Sequence, residues 1–285
     1  MKKLLFIITV AFAFTLLCCE KEGVYNPSKK LKRIYVTYNN KKVLSQEWSW
    51  NNNTLHKIEY FYVNTGNLFY SSTFKYNGNQ ISEIQDSDGY LTKFSFNGNK
   101  YDRVDYYNSK SELRISLKFS YSGNKVSSIE GQYFPSSKSS SSLNNFNQGY
   151  LTTLIPELRL SEEYIEYLQH SKGGVSIVKW NFEYNGNNLS KLERQEDGNI
   201  VSYDYEEYDK KTNPFYHHVE VVNLALNTIL SKNNVLKQRY RNADGKITTY
   251  EFSYSYDGNV PIEVQRRANS SGDISTTTTY YEYIK

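Results

Sequence analysis

The sequence predicts an all-β, mainly antiparallel protein. The expected form is a meander of repeated hairpins making a curved open sheet or half-barrel, with one short helical insertion. Three observations carry this. The 285 residues include 28 Tyr and 14 Phe against a single Met, and aromatic and β-branched side chains favour half-buried pleated surfaces. An aromatic-x-aromatic-x-Gly-Asn motif recurs along the chain, and internal repetition of this kind decides an architecture before any single residue does. A second class of glycine-bearing turn, as at Gly89, Gly198, Gly245 and Gly272, falls between the copies.

The elements follow in chain order. Residues 1–18 have a basic start and an apolar run from Leu4 to Leu17, the pattern of a secretory signal peptide. Fourteen such residues rise only about 21 Å as a helix, against about 30 Å of bilayer hydrocarbon. The run ends at Cys18-Cys19-Glu20-Lys21-Glu22 with no Ala-x-Ala site. This resembles the lipobox of bacterial lipoproteins, which implies acylation of a cysteine and cleavage before it. Cys19 fits best, with Leu16 three places earlier and small Cys18 before it. Glu20-Lys21-Glu22 resembles the export signal of Bacteroidetes surface lipoproteins. Residues 19–30 then read as a lipidated tether, polar and broken by Gly23 and Pro27. Both cysteines lie in this segment, so no disulfide staples the rest.

Residues 31–285 form a single β-repeat domain. Clear copies of its motif are Phe74-Lys-Tyr76-Asn-Gly78-Asn, Phe94-Ser-Phe96-Asn-Gly98-Asn, Phe119-Ser-Tyr121-Ser-Gly123-Asn, Phe182-Glu-Tyr184-Asn-Gly186-Asn and Tyr254-Ser-Tyr256-Asp-Gly258-Asn. Trp48-Ser-Trp50-Asn-Asn52-Asn is a degenerate copy. Asn-Gly between alternating runs signals a type I′ hairpin. With Asn77-Gly78 as the two central residues, Phe74 faces Ile81. The same register pairs Phe94 with Tyr101, Phe119 with Val126, Phe182 with Leu189, and Trp48 with Leu55. Tyr254 then meets Pro261, which implies an edge strand or a bulge.

The beat breaks at residues 135–175. A serine-rich run is followed by Leu160, Tyr164, Ile165 and Leu168 at helical spacing, and a helix is expected within 156–170. A second break, Val222 to Ile229, reads as a short helix or an irregular loop.

Asp244-Gly245 with Tyr250-Glu-Phe252 and Tyr254-Ser-Tyr256-Asp257-Gly258 is similar to the YD repeats of RHS-type proteins. Tyr208-Asp-Lys-Lys-Thr-Asn-Pro214-Phe215, with Leu230-Ser-Lys-Asn-Asn234, resembles a pattern in uncharacterised Bacteroidetes outer-membrane and surface lipoproteins. The resemblance implies architecture and carries no active-site residue. RHS-type proteins close a shell from many repeats, and six copies imply an open sheet.

No catalytic motif is present, so a non-enzymatic protein is expected, without cofactor. The four histidines, His56, His170, His217 and His218, show no metal-ligand spacing. Without the leader the chain has 32 basic and 30 acidic residues, too even a balance for nucleic acid. Trp48, Trp50, Trp180, Tyr203 and Tyr205 are the candidate ligand-binding residues. They are read as core or, alternatively, as an aromatic floor for sugar rings on a concave face. The expected function is a lipid-anchored module at the cell outer membrane or cell surface that binds or scaffolds a protein or glycan partner. A glycan-binding or glycan-active lipoprotein is the alternative.

Overall fold

A computed structural model describes residues 21–134, 175–196, 198–218 and 230–285. The elements they form are all strands. The first half contains β1 (Leu31–Tyr38), β2 (Lys41–Asn51), β3 (Thr54–Phe61), β4 (Leu68–Asn77), β5 (Gln80–Asp86), β6 (Leu91–Asn97), β7 (Lys100–Tyr107), β8 (Leu113–Ser122) and β9 (Lys125–Tyr133). The second contains β10 (Ser176–Asn185), β11 (Asn188–Glu196), β12 (Asn199–Thr212), β13 (Asn233–Arg241), β14 (Ile247–Asp257), β15 (Val260–Ser270) and β16 (Asp273–Tyr283).

Every strand pairs antiparallel with its sequence neighbours, as the meander requires. The sheet is not open, however. β1 pairs with β16, setting Ile34 opposite Tyr281 and Val36 opposite Thr279, and this closes a barrel of 16 strands. The half-barrel expectation fails because the motif marks only the hairpins β2–β3, β4–β5, β6–β7, β8–β9, β10–β11 and β14–β15. Strands β1, β12, β13 and β16 carry no copy, and they complete the circumference. Closure leaves no unpaired sheet edge among the described strands.

The hairpin register also differs from the expectation, by the same step in every copy. Asn77 pairs with Gln80, so Gly78 and Asn79 are the central pair. Gly78 has φ +66° and Asn79 is not in the positive-φ region, the pattern of a type II′ turn with glycine first. Tyr76 then faces Ile81, a bulge follows, and Phe74 faces Ile84. The other copies pair Trp48 with Ile58, Phe94 with Val104, Phe119 with Ile129, Phe182 with Leu192, and Tyr254 with Val264.

The bulge solves a problem of parity. Ile81 and Ile84 lie three residues apart, and in a regular strand they would point to opposite faces. An extra residue in one strand resets the alternation, so both face inward and both are buried. Leu55 with Ile58, Val126 with Ile129 and Leu189 with Leu192 repeat the arrangement. Pro261 sits at the same bulge of the last copy, in a strand paired on both sides. The expected helix within 156–170, the break at 222–229 and the leader with Cys19 lie outside the described residues.

Candidate functional site

Of the aromatic candidates, Trp48, Trp180, Tyr203 and Tyr205 have buried rings inside the barrel, and Trp50 is half-buried. The Trp48 indole N–H donates to Gln46 Oε1 at 2.9 Å, and that of Trp50 donates to the Leu31 carbonyl at 2.7 Å. Trp180 lies over Gly131, where a Cβ would meet the indole at 2.8 Å. Tyr203 stacks on Tyr240 at 4.8 Å. Trp48 and Trp50 share one site with Tyr25, at 6.4 and 5.6 Å between ring centroids. Trp180, Tyr203 and Tyr205 lie on other strands.

Tyr25 belongs to the segment read as a tether, which is docked from Lys21 onward across the end of the barrel formed by the Gly-Asn tips. The Glu22 N–H donates to the Asn99 carbonyl at 2.9 Å, and the Gly23 carbonyl accepts from the Ile81 N–H at 2.8 Å. The Glu22 carboxylate accepts from the Tyr101 N–H at 2.7 Å and the Tyr121 hydroxyl at 2.5 Å. Lys29 pairs with Asp257 at 2.6 Å, and Lys30 Nζ donates to the Asn52 carbonyl at 2.6 Å. Residues 213–218 close the same end from the other side. The Tyr25 hydroxyl donates to the Pro214 carbonyl, and Phe215 and His218 pack beside Trp48. One end is therefore capped.

The lysine that follows a Gly-Asn tip has a role that sequence reasoning missed. Lys100 Nζ donates to the Gly123 carbonyl of the next tip and lies over the Tyr121 ring. Lys125 does the same to Gly186 and Tyr184. Lys211 and Lys30 reach Gly258 with Tyr256, and Asn52 with Trp50. Each is a cation over an aromatic face that also satisfies a turn carbonyl. The recurring Gly-Asn-Lys at 98–100 and 123–125 was the available signal.

The lumen changes character along its length. Near the capped end it is filled by Phe74, Phe94, Phe119, Phe182 and their aliphatic partners. Toward the other end the buried inward positions include Gln46, Ser72, Asp86, Thr92, Arg194 and Gln238. Ser72 Oγ donates to Asp86 Oδ1 at 2.7 Å. Burial raises the Asp86 pKa to about 6, against the pull of hydrogen bonds from Tyr70 and Ser72. At the capped end burial lowers the His218 pKa to about 3, so its imidazole is neutral. Among the described residues no group of three or more His, Cys, Asp or Glu is arranged to hold a metal ion.

The outer face of the barrel is polar and charged. Cross-strand neighbours run Glu83, Lys93, Asp105 in one belt and Lys118, Glu130, Lys179 in another. Lys237, Glu251 and Arg267 continue on the far side. Contacts include Lys75–Glu83 at 2.5 Å and Lys191–Glu193 at 2.9 Å. A membrane-spanning barrel needs an outward apolar band about 25 Å tall, and each Lys or Arg facing mid-bilayer costs about 2–4 kcal/mol. Lys75, Lys93, Lys118, Lys179, Lys191 and Arg267 together make such a placement unfavourable by on the order of 10 kcal/mol or more.

At the uncapped end, each even-numbered strand from β4 to β16 carries an aliphatic side chain at its first or second residue. These are Leu68, Leu91, Leu113, Ile177, Ile200, Ile247 and Ile274. Strand alternation turns them outward, with bulges at Phe69 and Arg114 resetting it for Leu68 and Leu113, and Leu68, Ile177, Ile200, Ile247 and Ile274 are exposed. They form a collar one residue tall between polar turns and charged strands.

No protein-family model and no curated protein matches the chain. Solved structures do match in shape. A porin-like protein from Bacteroides uniformis superposes with a TM-score of 0.56 at 12% identity, covering 91% of this chain and 99% of that one. A porin-like protein from Bacteroides vulgatus gives 0.53 at 11%, covering 90% and 99%. The fold is that of Bacteroides porin-like proteins. At such identity the likeness concerns the barrel alone, and its surface is read from this chain's own residues.

Proposed function

We propose that the chain is a lipid-anchored envelope protein of the outer membrane or cell surface whose barrel stands in water, with its capped end toward the bilayer. It serves as a non-enzymatic binding or scaffold module. The observation that carries this reading is the charged outer face, which suits water and not hydrocarbon. The porin-like neighbours support an outer-membrane setting, and the repeated hairpins support kinship with YD-type repeats.

The docked N-terminus sets the attitude. Glu22 lies three positions after Cys19, and an extended chain spans at most about 3.6 Å per residue. An acyl group on Cys19 therefore holds the Gly-Asn end within about 11 Å of the membrane surface. The uncapped end, with its collar, points away and is the surface left for a protein partner presenting an apolar socket.

Metabolic labelling with a radioactive fatty acid tests the anchor. The wild-type chain is expected to take up label and fractionate with membranes, and Cys19→Ser to take up no label. Label retained in Cys19→Ser and lost in Cys18→Ser moves the acylated residue by one. Label in neither chain refutes the anchor.

A further inference from the structure

We infer that the capped end is itself a docking face for the anionic lipid headgroups of the bilayer that carries the anchor. This rests on the anchored reading, since the anchor is what brings that end to the surface.

The two ends of the barrel differ in charge. Around the capped rim stand Lys21, Lys100, Lys125, Lys210, Lys211 and Lys232, none of them in an ion pair among the described residues. Lys21, Lys210 and Lys232 are exposed. Three carboxylates on this rim are hydrogen-bonded within it, one by a lysine and two by uncharged donors that leave their charge in place. Asp257 is paired with Lys29, Glu22 is held by Tyr101 and Tyr121, and Asp209 accepts from Asn234 and Tyr256. Asp102 near the start of β7 and Glu183 near the end of β10 are exposed acidic groups close to these tips, fewer than the lysines. At the opposite rim Lys41, Lys110 and Lys246 are balanced by Asp88, Glu112, Asp244 and Asp273.

The arrangement also fixes geometry. Lys100, Lys125 and Lys211 each bind a tip carbonyl and an aromatic face, so their ammonium groups are held at the rim. An acyl chain with a basic patch is a two-signal anchor, in which each side chain near an anionic surface strengthens binding severalfold.

The test uses the mature chain from Glu20, free of leader and lipid, sedimented with vesicles of phosphatidylcholine alone or with phosphatidylglycerol added. Binding is expected only to the anionic vesicles and is released by salt. Lys21→Gln, Lys210→Gln and Lys232→Gln combined should weaken it about a hundredfold. The corresponding Arg variant should retain it, as should Lys41→Gln, Lys110→Gln and Lys246→Gln combined. Equal binding to both vesicles, no binding, or equal loss in both Gln triples overturns the basic face. The fatty-acid label reports separately. Label without vesicle preference sinks only the basic face, and vesicle preference without label sinks only the anchor.

Discussion

Tyr25 donates its hydroxyl hydrogen to the carbonyl oxygen of Pro214 at 2.6 Å, joining segments 189 residues apart. This bond closes the floor of the barrel between the N-terminal strap and the β12–β13 connection. Tyr25→Phe leaves a buried carbonyl without its donor and should cost about 1–3 kcal/mol. A lowered denaturant midpoint with unchanged slope checks it.

Gly23 holds the strap at φ +73°, and a Cβ there would lie 2.6 Å from the Phe96 ring. Gly23→Ala should undock the strap. The Ile81 and Tyr101 amides, which donate to Gly23 and Glu22, should then exchange with solvent faster. Unchanged protection at both amides would contradict the docking.

The bulge at Ser82 turns Ile81 and Ile84 to the same face. Deleting Ser82 forces one of them into water and misaligns the hairpin, which should cost more than Ile84→Ala at about 2–5 kcal/mol. Ser82→Ala, which keeps the extra residue, should be close to neutral. Guanidinium unfolding of the three variants ranks them.

Two buried groups give opposite pH dependence. His218 has a folded pKa of about 3, below its ordinary 6.5, so the unfolded chain takes the proton first as pH falls. Stability present above pH 6.5 is lost on acidification toward pH 3, by about 1.4 kcal/mol per unit. Asp86 has a folded pKa of about 6, above its ordinary 3.8. Its contribution is full below pH 3.8 and is lost as pH rises through 6. His218→Gln should flatten the acid limb. Asp86→Asn should stabilise the protein at pH 8 by up to about 3 kcal/mol and leave pH 4 unchanged. Thermal melts at both pH values decide each case.

The meander and its aromatic pairs were legible because Gly-Asn tips recur at 78, 98, 123, 186 and 258. The register differs by one step because Asn-Gly is the signature of a type I′ pair, whereas here glycine takes the first central position. The bulge hid from a period-two reading, although aliphatic residues three apart, as at Leu55 and Ile58, recorded it. Closure was out of reach because β1 meets β16 only through contacts between the two ends of the chain. The strap was hidden for a different reason: a single tyrosine in a polar stretch gives no periodicity, so Tyr25 showed no sign of being buried. Of the candidate residues, the tryptophans of β2 come together with Tyr25, whereas Lys100 and Lys125 after their tips give no signal because a lone lysine beside a turn ordinarily reads as solvated charge.

The most direct measurement is the fractionation in cells of the chain from Glu20, exported behind an ordinary cleavable leader. The expected result is a folded, monodisperse protein recovered without detergent. A chain from Glu20 that stays in the membrane and comes out only with detergent would mean the barrel crosses lipid, against its charged exterior.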